Sequence, residues 1–197
     1  LAMNNNESLK VEDIYSNASD GLGAVIMDMQ ENLLKAVTRK TELEDSIVLQ
    51  IKIFGLLKIE QCLTEQVPEK LGATFSGILN LCKGIPVFEK CTFSAFGCDK
   101  FREWLKNMNI SHLLISGIET PICIYQTCLD ALRENLQVTV ISDCVGARRQ
   151  GDAETVLAQL SSFGCSIIPL ETICYSLLKD SAHDEFKSIS NLVRLRT

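Results

Sequence analysis

With 197 residues, 46% of them apolar and 22% charged, the chain can bury one good-sized core, and its length favours a single domain. A formal charge of −6 argues against nucleic acid or an anionic membrane surface as partner, because both reward clustered Lys and Arg. No stretch approaches the roughly 18 uninterrupted apolar residues of a membrane span.

The opening stretch LAMNNNESLK is polar and lacks the apolar centre of a signal peptide. Residues 1–20 are expected to form a flexible N-terminal segment and residues 21–197 the folded domain. Six apolar runs bounded by turn residues then follow: AVIMDM (24–29), QCLTE (61–65), PVFEK (86–90), HLLISG (112–117), QVTVISD (137–143) and CSIIPL (165–170). They read as strands buried on both faces. Between them lie segments of helical periodicity at 43–59, 99–108, 120–135 and 152–163, and 183–196 reads as a last helix with basic residues in its final turn. Strand and helix alternate, which predicts an α/β fold of three layers: a mostly parallel sheet with helices on both faces. In such sheets ligands sit at the carboxyl ends of the strands.

Nine cysteines show neither a CxxC pair nor zinc-ribbon spacing. A reducing cytoplasmic setting fits them, with eight serving as small buried hydrophobes. Cys123 is the exception. Thr120 suits an N-cap and Pro121 a first helical position, so Cys123 falls on the first turn of a helix. Free N–H groups and the positive end of the helix dipole favour a thiolate there. A shift to about 6 would take roughly 3 kcal/mol.

Two further strand ends carry charge: Asp28 closes AVIMD and Lys90 closes PVFEK. If those strands neighbour the one before Cys123, a carboxylate, an ammonium and a thiol meet in one crevice. That set supplies a base, a cation and a nucleophile for acyl transfer. Taken singly, Asp28 also suits a turn or cap and Lys90 a solvated strand end.

The motifs AVIMDMQENLL, TEQVPEKLG, PVFEKCTFSAFG and ISGIETPICIYQTCLDAL resemble the isochorismatase-like cysteine hydrolase superfamily, in its branch of isochorismatase-domain-containing proteins. The resemblance runs from about Ala24 to Arg194. It implies a catalytic triad of Asp28, Lys90 and Cys123, a six-stranded parallel sheet, and a homo-oligomer. It also implies a non-proline cis peptide at Ile118–Glu119 and an oxyanion hole built from the backbone N–H groups of Glu119 and Cys123. Gln30, Glu65, Gln66, Phe93 and Phe96 lie in matching motifs as candidates for lining the pocket. The alternatives are core packing for the two phenylalanines and a backbone partner for Glu65. Arg148 and Arg149 read as solvated or interface charges.

Nicotinamidases of the superfamily hold a metal with an Asp and two His between the second and third strands. Here the interval from Gln61 to Lys90 contains no histidine; the two in the chain are His112 and His183. Neither a metal nor another cofactor is expected. The expected activity is covalent hydrolysis of a small amide- or ester-type substrate through a Cys123 thioester. The competing expectation is a binding or scaffold protein that retains the fold. Where the branch often has His two residues before the nucleophile, this chain has Pro121, which supplies no proton-carrying group.

Overall fold

The computed structural model describes residues 21–196. The expected N-terminal segment, residues 1–20, lies outside them. The strands are β1 Leu22–Met27, β2 Glu60–Gln66, β3 Val87–Lys90, β4 His112–Ile118, β5 Gln137–Gly146 and β6 Ser166–Ile168. They form one six-stranded parallel sheet in the order β3-β2-β1-β4-β5-β6. The helices are α1 Glu31–Leu34, α2 Lys40–Leu56, α3 Pro68–Leu71, α4 Ser76–Leu79, α5 Asp99–Asn107, α6 Tyr125–Arg133, α7 Gln150–Ser162, α8 Leu170–Leu178 and α9 Phe186–Arg194. No helix among the described residues is long and apolar enough to cross a membrane.

The two faces of β1 set the layers. Ala24 and Ile26 join a core that includes Leu43, Ile47 and Phe54 of α2, Ile173 and Leu177 of α8, and Ile189 of α9. Val25 and Met27 join the opposite core, with Phe101 and Trp104 of α5, Cys128 of α6 and Leu160 of α7. Successive strand residues point to opposite faces, so a strand covered on both sides must be apolar throughout, and LGAVIM is. Each fully buried Leu or Ile contributes roughly 1.5–3 kcal/mol of burial free energy.

β1 and β4 are central neighbours, and the chain winds outward from them in opposite directions: β2 and β3 on one side, β5 and β6 on the other. The carboxyl ends of β1 and β4 therefore flank the crevice where the winding reverses, the position at which doubly wound sheets bind ligands. Gly117 lets the two strands close tightly there. Its φ is +102°, and a Cβ on it would stand 2.1 Å from the Met27 carbonyl oxygen.

Several expected boundaries move. The last run is a strand only over Ser166–Ile168; Pro169 precedes α8, whose Leu170, Ile173, Cys174, Leu177 and Leu178 are buried. The segment expected as one helix from Thr120 begins instead as a π-helical turn, Thr120–Ile124, and becomes α6 at Tyr125. Thr120 does not cap that turn. Its hydroxyl is fully buried and donates to the Gly146 carbonyl at the end of β5, 3.0 Å away.

Candidate active site

Asp28 follows β1 in a left-handed conformation, φ 52°, which Asp tolerates better than most residues. Its N–H donates to the Thr64 carbonyl at 3.0 Å, and the Thr64 hydroxyl donates to its Oδ1 at 2.7 Å. These two bonds aim the other carboxylate oxygen, Oδ2, at Lys90, whose Nζ stands 2.8 Å away. Both side chains of the pair are completely buried.

Lys90 ends β3, two strands from β1, and reaches across β2 to Asp28. Its Nζ also donates to Gln66 Oε1 at 2.6 Å and to the Thr92 carbonyl at 3.4 Å. A buried ammonium is costly unless its donors are matched, and here three acceptors meet them. Gln66 is itself fixed, because its N–H donates to Gln30 Oε1 at 2.7 Å while Gln30 Nε2 donates to the Gln66 carbonyl at 3.1 Å. Gln66 Nε2 donates to the Cys91 carbonyl.

The five residues expected to line a pocket thus take different places. Gln30 is fully buried, and its amide is spent on Gln66 and on the Gly72 carbonyl. Gln66 touches Lys90. Glu65 Oε1 accepts from the N–H and the hydroxyl of Thr74, at 2.6 and 2.7 Å, so it holds a loop. Phe96 is a core aromatic, edge-on to Phe101 with ring centroids 5.4 Å apart. Phe93 is 59% exposed on the loop after β3.

Cys123 is 7% exposed, and its thiol faces both members of the ion pair. Burial and then the neighbouring Asp28 carboxylate push its pKa up to about 12, against the opposing pull of the Lys90 ammonium and a hydrogen bond from the Glu119 backbone. This corrects the thiolate expected from helix position: desolvation and a carboxylate outweigh one turn of backbone N–H groups. Burial and the Asp28 carboxylate thus favour the thiol over the thiolate. Glu119, joined to Ile118 by a cis peptide bond, accepts from the N–H groups of Ile122 and Ile124 at 3.1 and 3.2 Å.

The raised thiols carry a consequence for alkaline stability. Burial also lifts Cys82 to about 11 and Cys174 to about 12, from an ordinary value of 9.0. Between pH 9 and these values the folded chain holds protons that the unfolded chain has lost, so this stabilisation is complete below pH 9 and fades as pH climbs toward 12. Urea unfolding at pH 8 and pH 11 should show a loss on the order of a few kcal/mol at the higher pH. An unchanged midpoint would show that these thiols ionise normally.

His112 is buried in β4 with Nε2 2.8 Å from the Thr139 hydroxyl, and His183 precedes α9, its Nδ1 accepting from the Glu185 N–H. Among the described residues no group of three or more His, Cys, Asp or Glu is placed to hold a metal ion. Thr64, which orients Asp28, was not singled out from the sequence, and Arg148, read there as a solvated or interface charge, has its Nε donating to Glu119 Oε1 at 2.6 Å. Thr64 sits as a polar residue within a buried strand, and that was the available signal for it. A cavity of about 130 Å³ lies beside the Thr120–Ile124 turn, lined by Glu119, Pro121, Ile122, Arg148, Arg149 and Asp152.

The chain is 30% identical over 175 residues to Isochorismatase family protein 1A of Dictyostelium discoideum, covering 87% of this chain and 85% of that protein. Its fold superposes on the MAR1 ribonuclease of Caenorhabditis elegans with a TM-score of 0.82 at 26% identity, covering 89% and 91% of the two chains. It also superposes on the YcaC gene product of Escherichia coli, described as an octameric hydrolase of unknown specificity, with a TM-score of 0.80 at 16% identity over 90% and 94%. The model of the isochorismatase domain matches residues 23–172. The buried Asp-Lys pair, the cysteine turn and this match over most of the sequence together place the chain in the isochorismatase family.

Proposed function

We propose that the chain is a cysteine hydrolase that cleaves a small amide- or ester-type substrate without a metal, through a thioester on Cys123. The observation that carries this reading is the fully buried Asp28–Lys90 pair facing the Cys123 thiol. Asp28 takes the thiol proton as sulfur attacks the carbonyl carbon, and Lys90 stabilises the charges that result. The N–H groups of Glu119 and Cys123 receive the developing oxyanion. As the carbon–nitrogen or carbon–oxygen bond breaks, Asp28 returns the proton to the leaving group. Water then attacks the thioester, giving up a proton by way of Asp28, and the products are a carboxylic acid and the free thiol.

This reading extends to a homo-oligomer working in a reducing, cytoplasmic compartment. The formal charge of −6 disfavours a polyanionic substrate such as RNA. A binding or scaffold role is the second reading, and the burial of Cys123, which pushes its thiol pKa up, is the observation that favours it. One experiment separates them: a panel of small amides and esters incubated with the protein and followed by intact mass. An acyl adduct on the parent that is missing from Cys123→Ala, together with released product, is the expected result. Product formation at equal rates by both proteins would overturn covalent catalysis.

A further inference from the structure

Arg148 and Arg149 are adjacent, yet the fold uses them differently. Arg149 pairs with Asp152 three residues on, within the first turn of α7, and both side chains are largely open to solvent. Exposed pairs of that kind contribute roughly 0–1 kcal/mol. Arg148 reaches back 29 residues to Glu119, whose carboxylate is only 9% exposed while the arginine is 59% exposed. A carboxylate shielded to that degree depends on its partner.

Glu119 is tied at three points. Its carbonyl accepts from Ile122 and Ile124, the residues on either side of Cys123, and its carboxylate is held by Arg148. The adjoining Thr120 hydroxyl grips Gly146, so two consecutive residues of the nucleophile turn are anchored to the end of β5 and the loop beyond it. The cavity of about 130 Å³ that Arg148 and Glu119 both line gives the Glu119 side chain room to move if the arginine is lost.

We propose that Arg148 is a positioning residue for catalysis: by clamping the Glu119 carboxylate it fixes the turn, closed by the N–H groups of Ile122 and Ile124 on the Glu119 carbonyl, that presents the sulfur of Cys123. It touches neither the sulfur nor the triad partners and acts through Glu119 alone. The inference builds on Cys123 as nucleophile, and it predicts that losing Arg148 costs reactivity far more than stability.

Iodoacetamide labelling of Cys123, read by peptide mass across pH 7–11 with exposed Cys91 as internal reference, tests this without any substrate. The charged groups facing the sulfur are Asp28 and Lys90, present in every variant, and behind the turn stands the Glu119–Arg148 pair, so a change in profile reports the loss of that pair. Arg148→Ala and Arg148→Gln should label Cys123 about tenfold more slowly at pH 9, or slower, with the profile displaced to higher pH and Tm within a few degrees of the parent. Arg148→Lys should recover part of the rate, and Arg149→Ala should match the parent. Parental labelling in Arg148→Ala would overturn the proposal. So would slowing matched by a large drop in Tm and by altered labelling of the other thiols, which would mark Arg148 as merely structural. Because labelling reads the sulfur directly, its outcome is independent of whether the substrate screen yields a hydrolysed compound.

Discussion

Asp28→Asn should cut turnover of any hydrolysed substrate by roughly a hundred- to ten-thousand-fold, the range expected for loss of a general base, while making Cys123 easier to alkylate at pH 9. The opposite signs follow from one cause. The Asp28 carboxylate is the second largest influence raising the Cys123 pKa, after burial, and Lys90 lowers it. Removing the negative charge leaves the ammonium unopposed, so the thiol pKa falls from about 12 and more thiolate is present at any alkaline pH. Asn tolerates φ 52° and keeps an oxygen for the Thr64 hydroxyl, so the backbone turn survives. A structural lesion would slow both reactions. Turnover assays and iodoacetamide rates measured on one preparation decide the matter, and retained turnover or slower labelling would remove Asp28 from the role of base.

Gly117→Ala should destabilise the fold by about 4 kcal/mol or more, enough to deplete soluble protein at ordinary growth temperatures. Two penalties coincide at this position. A φ of +102° lies where L-residues are strained, and the added Cβ would press to 2.1 Å from a backbone oxygen of β1, which has no rotamer by which to retreat. Gly55→Ala is the matched control, because nothing lies within 4 Å of a Cβ placed there and it sits in a helix where Ala is favoured. Equal Tm values for the two variants would mean that the β1–β4 contact is looser than described.

The strands were legible because residues buried on both faces are apolar without alternation, and all six runs contain a strand. Charged ends on such runs stand out, which is how Asp28 and Lys90 could be singled out before any coordinates. What escaped was set by register and distance in the chain. Thr64 meets Asp28 across 36 residues, and Gln66 meets Lys90 across 24, because parallel pairing aligns their strand ends. Nothing local distinguishes Arg148 from Arg149; only the path of the chain after β5 brings one of them to Glu119. The helix α8 was hidden by the apolar run before it, since Pro169 joins strand and helix with no polar loop between. The thiolate expectation failed for a related reason. A helix-end argument weighs neighbours along the chain, whereas burial and Asp28 act through space.

The strand order also hangs the three candidate site residues from strands of different standing. Asp28 and Cys123 hang from interior strands, but Lys90 hangs from β3, an outermost strand of four residues whose Val87 and Glu89 face solvent. Sheets fray from their borders, at a free-energy cost below that of global unfolding. Warming is therefore expected to loosen β3, and Lys90 with it, before the central strands melt.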